Sequence, residues 1–130
     1  MKTKRDVRDV GAIGEYVNSQ LAVWRESCPQ LVAVGATLLP FADVISAASG
    51  GSYGKDGPQY IRIDIRNPDH RLPGDSTCAH VTADRVHVSD FRFDADGEMT
   101  HYESLDMELP CLWEYLRQLP RSPAAYGRKL

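Results

Sequence analysis

Apolar residues near the start of the chain recur at steps of three and four positions, the spacing of one helix face. These positions are Val10, Ile13, Val17, Leu21, Trp24 and Cys28. Asp6 or Asp9 can accept hydrogen bonds from the first helical turn, and Pro29 follows the last turn. The pattern predicts an amphipathic helix over about residues 8–27, and its apolar face should lie across a sheet.

The next two apolar segments show no clear period. Residues 31–39 read LVAVGATLL, and residues 41–49 read FADVISAAS after Pro40. Because both segments are apolar and short, we favour two strands with a bend at Gly35. A buried helix over residues 31–39 is the alternative, and periodicity does not decide whether residues 31–48 form two strands or contain a helix.

Strict alternation of apolar and polar residues in Tyr60–Arg66 (YIRIDIR) predicts a half-buried strand of an antiparallel sheet. Two prolines and a glycine in residues 67–76 (NPDHRLPGDS) then indicate a loop. Ala83-Asp84 fits a tight turn between the next two strands. This turn would place His80 opposite His87.

A second hairpin is predicted around Asp94–Gly97 (DADG), where Gly97 would take the positive φ that closes the turn. The two phenylalanines of residues 91–93 fall out of step with the two valines of residues 86–88. A β-bulge near Ser89-Asp90 would bring all four side chains into the core.

Pro110 is expected to open a short helix, CLWEYLRQL, and residues 121–130 to form a flexible tail. The 130 residues fit one domain, which we place at residues 1–120. The predicted fold is α+β: an N-terminal amphipathic helix packed on a curved antiparallel sheet of about six strands, followed by a short C-terminal helix.

Composition indicates an ordinary globular protein, with 42% apolar and 25% charged residues. The sequence has neither an apolar run that could cross a bilayer nor the apolar region of a signal peptide. Its three cysteines are widely spaced and contain no CxxC pair, which is typical of free thiols in a reducing compartment. We therefore expect a cytoplasmic protein with no membrane partner.

The glycine-rich stretch Ser49–Pro58 (SGGSYGKDGP) is similar to a phosphate-binding loop only superficially. If Gly54-Lys55 is aligned with the GK of the P-loop motif, Asp56 occupies the position that requires Ser or Thr. A strand rather than a helix follows, so we interpret the stretch as a connection between strands with Tyr53 as a contact residue. Asp94–Gly97 likewise fails as a calcium loop, because placing Gly97 sixth puts Arg92 first.

Cys78, His80, His87 and His101 are the candidate metal ligands. The turn at Ala83-Asp84 would project the first three from one sheet face, and the following strand could bring His101 beside Asp90. Three or four N and S ligands on one rigid face can bind zinc. The alternative is that the histidines are ordinary polar residues of a sheet face, and on balance we expect no cofactor.

A cysteine nucleophile is a second enzymatic hypothesis. Cys111 lies at the start of the last predicted helix, where the helix dipole can lower a thiol pKa, and His101 of the preceding strand would be its base. The residues CLW are also typical of a segment that packs into the apolar core, so enzymatic activity is the less favoured prediction. No catalytic residue is therefore assigned.

Acidic residues are concentrated between Asp84 and Glu114, where nine acids stand against two arginines, although the net charge of the chain is only −3. Such a patch repels nucleic acid and attracts basic surfaces. The basic residues are dispersed, so direct nucleic-acid binding is not expected. The alternative is that the acids only keep a sheet face soluble.

The segment Asp90–Asp106 (DFRFDADGEMTHYESLD) resembles the late hairpin of the SnoaL-like, nuclear-transport-factor-like cone-fold proteins over 17 residues. That family opens with more helix and ends on a strand. On a cone-like domain, a small-molecule or metal site, enzymatic or not, could lie on the concave sheet face and use His80, His87 and His101, which the predicted register places on the sheet. This is our alternative prediction of function.

The preferred prediction is a small, acidic, non-enzymatic protein that binds and neutralises a partner with a basic surface. The partner would be a protein or a protein–nucleic-acid complex. The sequence is also compatible with a homodimer. In size and charge the chain is similar to phage or mobile-element inhibitors and to immunity proteins. The predicted contact residues are Tyr53, Asp94, Asp96, Glu98, Tyr102, Glu103, Asp106 and Glu108.

Overall fold

The computed structural model describes the backbone of residues 2–120 and the side chains of residues 11–120. The helices are α1 (Lys2–Ser27), α2 (Gln30–Leu38) and α3 (Leu109–Arg117), with a 3-10 turn at Leu39–Phe41. The strands are β1 (Ile45–Ser52), β2 (Gln59–Ile65), β3 (Ser76–Val81), β4 (Val86–Phe93) and β5 (Met99–Met107). The predicted α+β fold with one antiparallel sheet and a short C-terminal helix is confirmed.

Helix α1 forms where the apolar period predicts it. Ile13, Val17 and Trp24 are buried on one of its faces and belong to the core. The helical backbone is interrupted at Gly11, whose φ of 65° is in the left-handed region that favours glycine. The predicted start near residue 8 therefore lies close to this break rather than at the first helical residue.

Helix α2 replaces the strand that we favoured for residues 31–39, so that prediction was wrong and its helical alternative is right. Four positions at helical spacing are buried: Leu31, Val34, Gly35 and Leu38. A β-carbon on Gly35 would lie 3.1 Å from Cγ2 of Val17 and 3.3 Å from Cζ3 of Trp24. Glycine thus allows α2 to pack closely on α1, and this contact stabilises the segment as a helix.

The sheet is a meander of five antiparallel strands in the order β1-β2-β3-β4-β5, close to the six predicted. Its inner face carries the apolar core residues and packs against the helices, whereas the alternate residues form its outer face. The buried inner-face residues of β2, β3 and β4 include Ile61, Ile63, Ile65, Ala79, Val81 and Val86. The sheet therefore has one apolar side and one polar side.

The β3–β4 hairpin has the predicted turn and register. The Thr82 N–H donates to the Arg85 carbonyl at 2.9 Å, and His80 lies opposite His87. The bulge predicted at Ser89-Asp90 was wrong, because β4 pairs with β5 without a shift from Val86 to Arg92. The shift lies instead between Arg92 and Phe93.

Helix α3 covers one end of the core with Leu112 and Leu116, both fully buried. The indole N–H of Trp113 donates to Oγ1 of Thr37 at 3.1 Å and so ties α3 to α2. Among the helices that the structure describes, none is long and apolar enough to span a membrane. Residues 121–130, predicted as a tail, lie outside the described residues.

Candidate functional site

Strand β5 and the β4–β5 turn form one edge of the sheet, which we call the acidic edge. Residues 99–106 of β5 are all exposed. The acidic edge carries six of the predicted contact residues: Asp94, Asp96, Glu98, Tyr102, Glu103 and Asp106. Glu108, also exposed, follows β5 as the N-cap of α3. Met99, Tyr102 and Leu105 add large apolar surface, with exposed fractions of 53%, 54% and 56%. Acidic and apolar groups are therefore interleaved along a strand edge.

Two of these acids have structural roles within the protein. The Asp94 carboxylate accepts hydrogen bonds from the N–H groups of Asp96 and Glu98, each at 2.9 Å, and thus shapes the turn. The Asp106 carboxylate contacts Nδ1 of His87 at 2.6 Å. Asp96, Glu98 and Glu103 remain as exposed acids at which partner binding can be tested; of these, Glu103 also lies 3.7 Å from Nε2 of His101.

Tyr53 is not part of the acidic edge but belongs to the β1–β2 loop. The first four residues of the glycine-rich stretch, 49–52, belong to β1, and only residues 53–58 connect β1 to β2, so the connection is shorter than predicted. Gly54 in this loop has a φ of 77°. This loop places the Tyr53 hydroxyl 3.1 Å from Nδ1 of His80. Tyr60 stacks on the same imidazole, with ring centroids 4.4 Å apart and planes at 14°. The three rings form an aromatic cluster on the outer face.

The electrostatics of this cluster favour neutral rings. Burial lowers the pKa of His80, and the nearby Arg62 and His87 act in the same direction. Burial also raises the pKa of Tyr53, assisted by Tyr60 and Asp106. At neutral pH a neutral imidazole and a neutral phenol therefore face each other.

A cleft of about 400 Å³ opens beside the aromatic cluster, and we call it the histidine cleft. It is lined by Tyr53, Pro58, His80, Thr82, Asp84, Arg85, His87 and Asp106. The predicted register between β3 and β4 creates this cleft, because it sets His80 directly beside His87. The cleft combines aromatic walls with hydrogen-bonding groups, which is the composition of small-molecule sites.

His87 is held between two side chains of β5. Its Nδ1 lies 2.6 Å from Oδ1 of Asp106, and its Nε2 lies 2.7 Å from Oγ of Ser104. The hydrogen bond from His87 lowers the pKa of Asp106. Ser104 was absent from the predicted site residues, because only the register between β4 and β5 shows that it reaches His87.

The four proposed metal ligands do not meet. Cys78, His80 and His87 share the outer face as predicted, whereas His101 lies on the inner face, 3.9 Å from Asp90 and 3.7 Å from Glu103. Burial raises the pKa of the Cys78 thiol, which disfavours the thiolate that zinc requires. In residues 11–120, no group of three or more His, Cys, Asp or Glu side chains is arranged to hold a metal ion.

Cys111, the second enzymatic hypothesis, is exposed in the first turn of α3. Its proposed base, His101, is directed at two carboxylates instead. The contacts of His101 therefore give this pair no support.

A partly buried polar network on the inner face was not predicted. Thr77 is 2% exposed; its hydroxyl lies 2.6 Å from Oδ1 of Asp90 and 2.9 Å from Nε2 of His70. Arg92 donates to both oxygens of Asp90 and to the carbonyl of Asp69. Burial works to raise the pKa of Asp90, but the bonds from Thr77 and Arg92 outweigh burial and leave it lowered. The network fastens the β2–β3 loop to the sheet.

Asp75 fixes the other end of this loop and should make stability depend on pH. Backbone N–H groups of Arg71, Phe93 and Leu72 donate to its carboxylate and lower its pKa to about 2. A carboxyl whose pKa is lower in the folded state stabilises the fold above about pH 4, its unfolded pKa. We expect this contribution to be lost as the pH falls from about 4 to about 2.

Urea unfolding at pH 5, 4, 3 and 2 measures this effect in the wild type and in Asp75→Asn. The variant should be less stable at pH 5 and should lose less stability on acidification. Asp56→Asn, in the exposed β1–β2 loop, is the control and should follow the wild type. Parallel curves for Asp75→Asn and the wild type would contradict the prediction.

The hairpin of residues 90–106, which resembles part of the cone-fold proteins, is here the last pair of strands in a five-stranded meander. Helix α3 follows it, whereas the cone-fold family ends on a strand. No protein-family model matches the chain, and neither a curated protein nor a solved structure matches it.

Proposed function

We propose that this protein binds a basic surface of another protein through the acidic edge. The observation that carries the proposal is the exposure of β5: eight consecutive residues, 99–106, are exposed on an edge strand. An edge strand presents unpaired backbone N–H and C=O groups, to which an extended segment of another chain can pair.

The side chains of β5 supply contact area as well as charge. Tyr102 packs against Phe91 on the outer face, with ring centroids 5.1 Å apart, so its ring is partly fixed before a partner arrives. A preorganised aromatic side chain costs little entropy on binding and commonly supplies much of the binding energy. Met99 lies opposite Phe93 on the same face as Tyr102, whereas Leu105 lies opposite Val88 and adds exposed apolar area on the other face of the strand.

The charges select the partner. Asp96, Glu98 and Glu103 are exposed on the acidic edge, so they would repel an acidic strand and accelerate the approach of a basic one. The occupant that fits is an extended, Lys- or Arg-rich segment of a partner protein. A protein that covers such a segment would block its function, which is how inhibitors and immunity proteins act.

The test begins with a tagged capture from the source cells at moderate salt, analysed by native mass spectrometry. The rate at which the captured protein associates is then measured for the wild type and for the triple variant Asp96→Lys/Glu98→Lys/Glu103→Lys. We expect a decrease of about tenfold or more and a weaker dependence on salt. Asp94 and Asp106 are left unchanged because they bond within the protein.

The matched control is Glu15→Lys/Glu26→Lys/Asp56→Lys, which makes the same change of net charge at exposed positions of α1 and the β1–β2 loop. This control should associate at close to the wild-type rate. An equal decrease in both variants would show that only net charge matters. Wild-type binding by the acidic-edge variant, or capture of no protein at all, would contradict the proposal.

A further inference from the structure

We infer that Ser104, His87 and Asp106 form a hydrogen-bonded Ser–His–Asp triad on the outer face. Ser104 is its nucleophile and takes an acyl group from aryl esters bound at the histidine cleft. The three side chains are in line: Oγ of Ser104 lies 2.7 Å from Nε2 of His87, and Nδ1 of His87 lies 2.6 Å from Oδ1 of Asp106. This is the order of contacts in which a serine hydroxyl is activated by a histidine base.

The contact with Asp106 determines which nitrogen of His87 carries the proton. An ionised carboxylate only accepts hydrogen bonds, so Nδ1 must donate to it. The lone pair of neutral His87 is then on Nε2 and accepts the hydrogen bond from Ser104. Asp106 acts as a positioning residue, and its lowered pKa keeps it ionised to stabilise the imidazolium that forms.

The histidine cleft provides the place for a substrate. His87 and Asp106 line the cleft themselves, beside the walls formed by Tyr53, Pro58 and His80. Aromatic rings and a proline favour a flat, apolar group at this position. Ser104 does not line the cleft itself, but it is exposed and its hydroxyl lies 2.7 Å from Nε2 of His87, which does line the cleft. An ester carbonyl at the rim of the cleft can therefore reach this hydroxyl.

An aryl ester is the substrate class that makes least demand on the site. In the first step the Ser104 oxygen bonds to the ester carbonyl carbon, and its proton moves to Nε2 of His87. The carbon–oxygen bond to the phenol breaks, and the phenolate leaves with the electron pair. His87 releases the Ser104 proton to the phenolate or to solvent water and is neutral again. Water then attacks the acyl-serine: His87 accepts the proton of the water, and Ser104 regains its hydroxyl as the carboxylic acid leaves.

The experiment uses the whole chain and p-nitrophenyl acetate. Release of p-nitrophenolate is followed by absorbance, and the acetylated residue is located by peptide mass spectrometry. We expect acetylation of Ser104, which Ser104→Ala abolishes and His87→Ala slows by about 100-fold or more. Ser49→Ala is the matched control, since Ser49 is an exposed serine of β1 on the same outer face.

The variant Asp106→Asn distinguishes a role of Asp106 in positioning His87 from a role in folding. It should slow acetylation of Ser104 while the midpoint of thermal unfolding stays near that of the wild type. The ¹⁵N chemical shifts of the His87 ring should also show loss of the fixed Nδ1–H tautomer. A wild type that is not acetylated at Ser104, or acetylation that proceeds equally in folded His87→Ala, would overturn the inference. Neither result depends on the acidic edge finding a partner.

Discussion

Replacing Trp24 with alanine is expected to lower the free energy of unfolding by about 3–5 kcal/mol, the usual cost of removing a large buried aromatic side chain. Trp24 is 1% exposed and meets Tyr16 edge-on, with ring centroids 5.8 Å apart. Helix α2 cannot easily move into the vacated space, because Gly35 already brings it against Val17. The cavity would therefore persist.

Urea unfolding monitored by far-UV circular dichroism measures this loss. Val23→Ala is the control, since the Val23 side chain is on the same helix but 54% exposed, and its effect should stay within about 0.5 kcal/mol. The loss of stability in Trp24→Phe should lie between those of Trp24→Ala and Val23→Ala. This variant should remain folded even if Trp24→Ala does not. Equal stabilities of Trp24→Ala and Val23→Ala would show that α1 is not packed as described.

Thr77→Val is expected to cost about 1–3 kcal/mol, although valine has nearly the shape of threonine. The change removes the hydroxyl that lies between Asp90 and His70 and leaves both groups short of a hydrogen-bond partner. Because this network fastens the β2–β3 loop, hydrogen exchange should accelerate at the amides of residues 67–75. Thr77 is thus expected to act through its hydroxyl rather than through its volume.

Thr100→Val on the exposed strand β5 is the matched control and should leave stability nearly unchanged. Unfolding by urea and amide exchange followed by NMR test both parts of the prediction. A Thr77→Val protein with wild-type stability and unchanged exchange would mean that the network contributes nothing to the fold.

The sequence predicted the β3–β4 hairpin correctly because its signals are local. The turn residues Ala83 and Asp84 set the pairing of His80 with His87, and no distant contact is needed to fix it. Helix α2 was missed for the opposite reason. Its buried positions have helical spacing, but further apolar residues between them hide the period, and packing against α1 decides the structure.

The Ser104–His87–Asp106 triad depends on a feature that the sequence does not show. The pairing of Phe93 with Met99, continued without a shift, would place Leu105 opposite His87. The one-residue shift at Thr100 places Asp106 there instead. Because a single extra residue moves every later partner by one, the site could not be predicted without knowing where the bulge lies.

The meander has a consequence for how the chain folds. Each strand pairs only with strands that are adjacent in the chain, so each pairing closes a short loop and costs little entropy. The sheet can grow hairpin by hairpin from local contacts, a low-contact-order topology that is associated with rapid folding. Among the side-chain hydrogen bonds of the described residues, the one that spans most sequence joins α3 to α2, from Trp113 to Thr37, 76 residues apart. The final step that commits the chain to its native state is therefore expected to be the docking of the C-terminal helix.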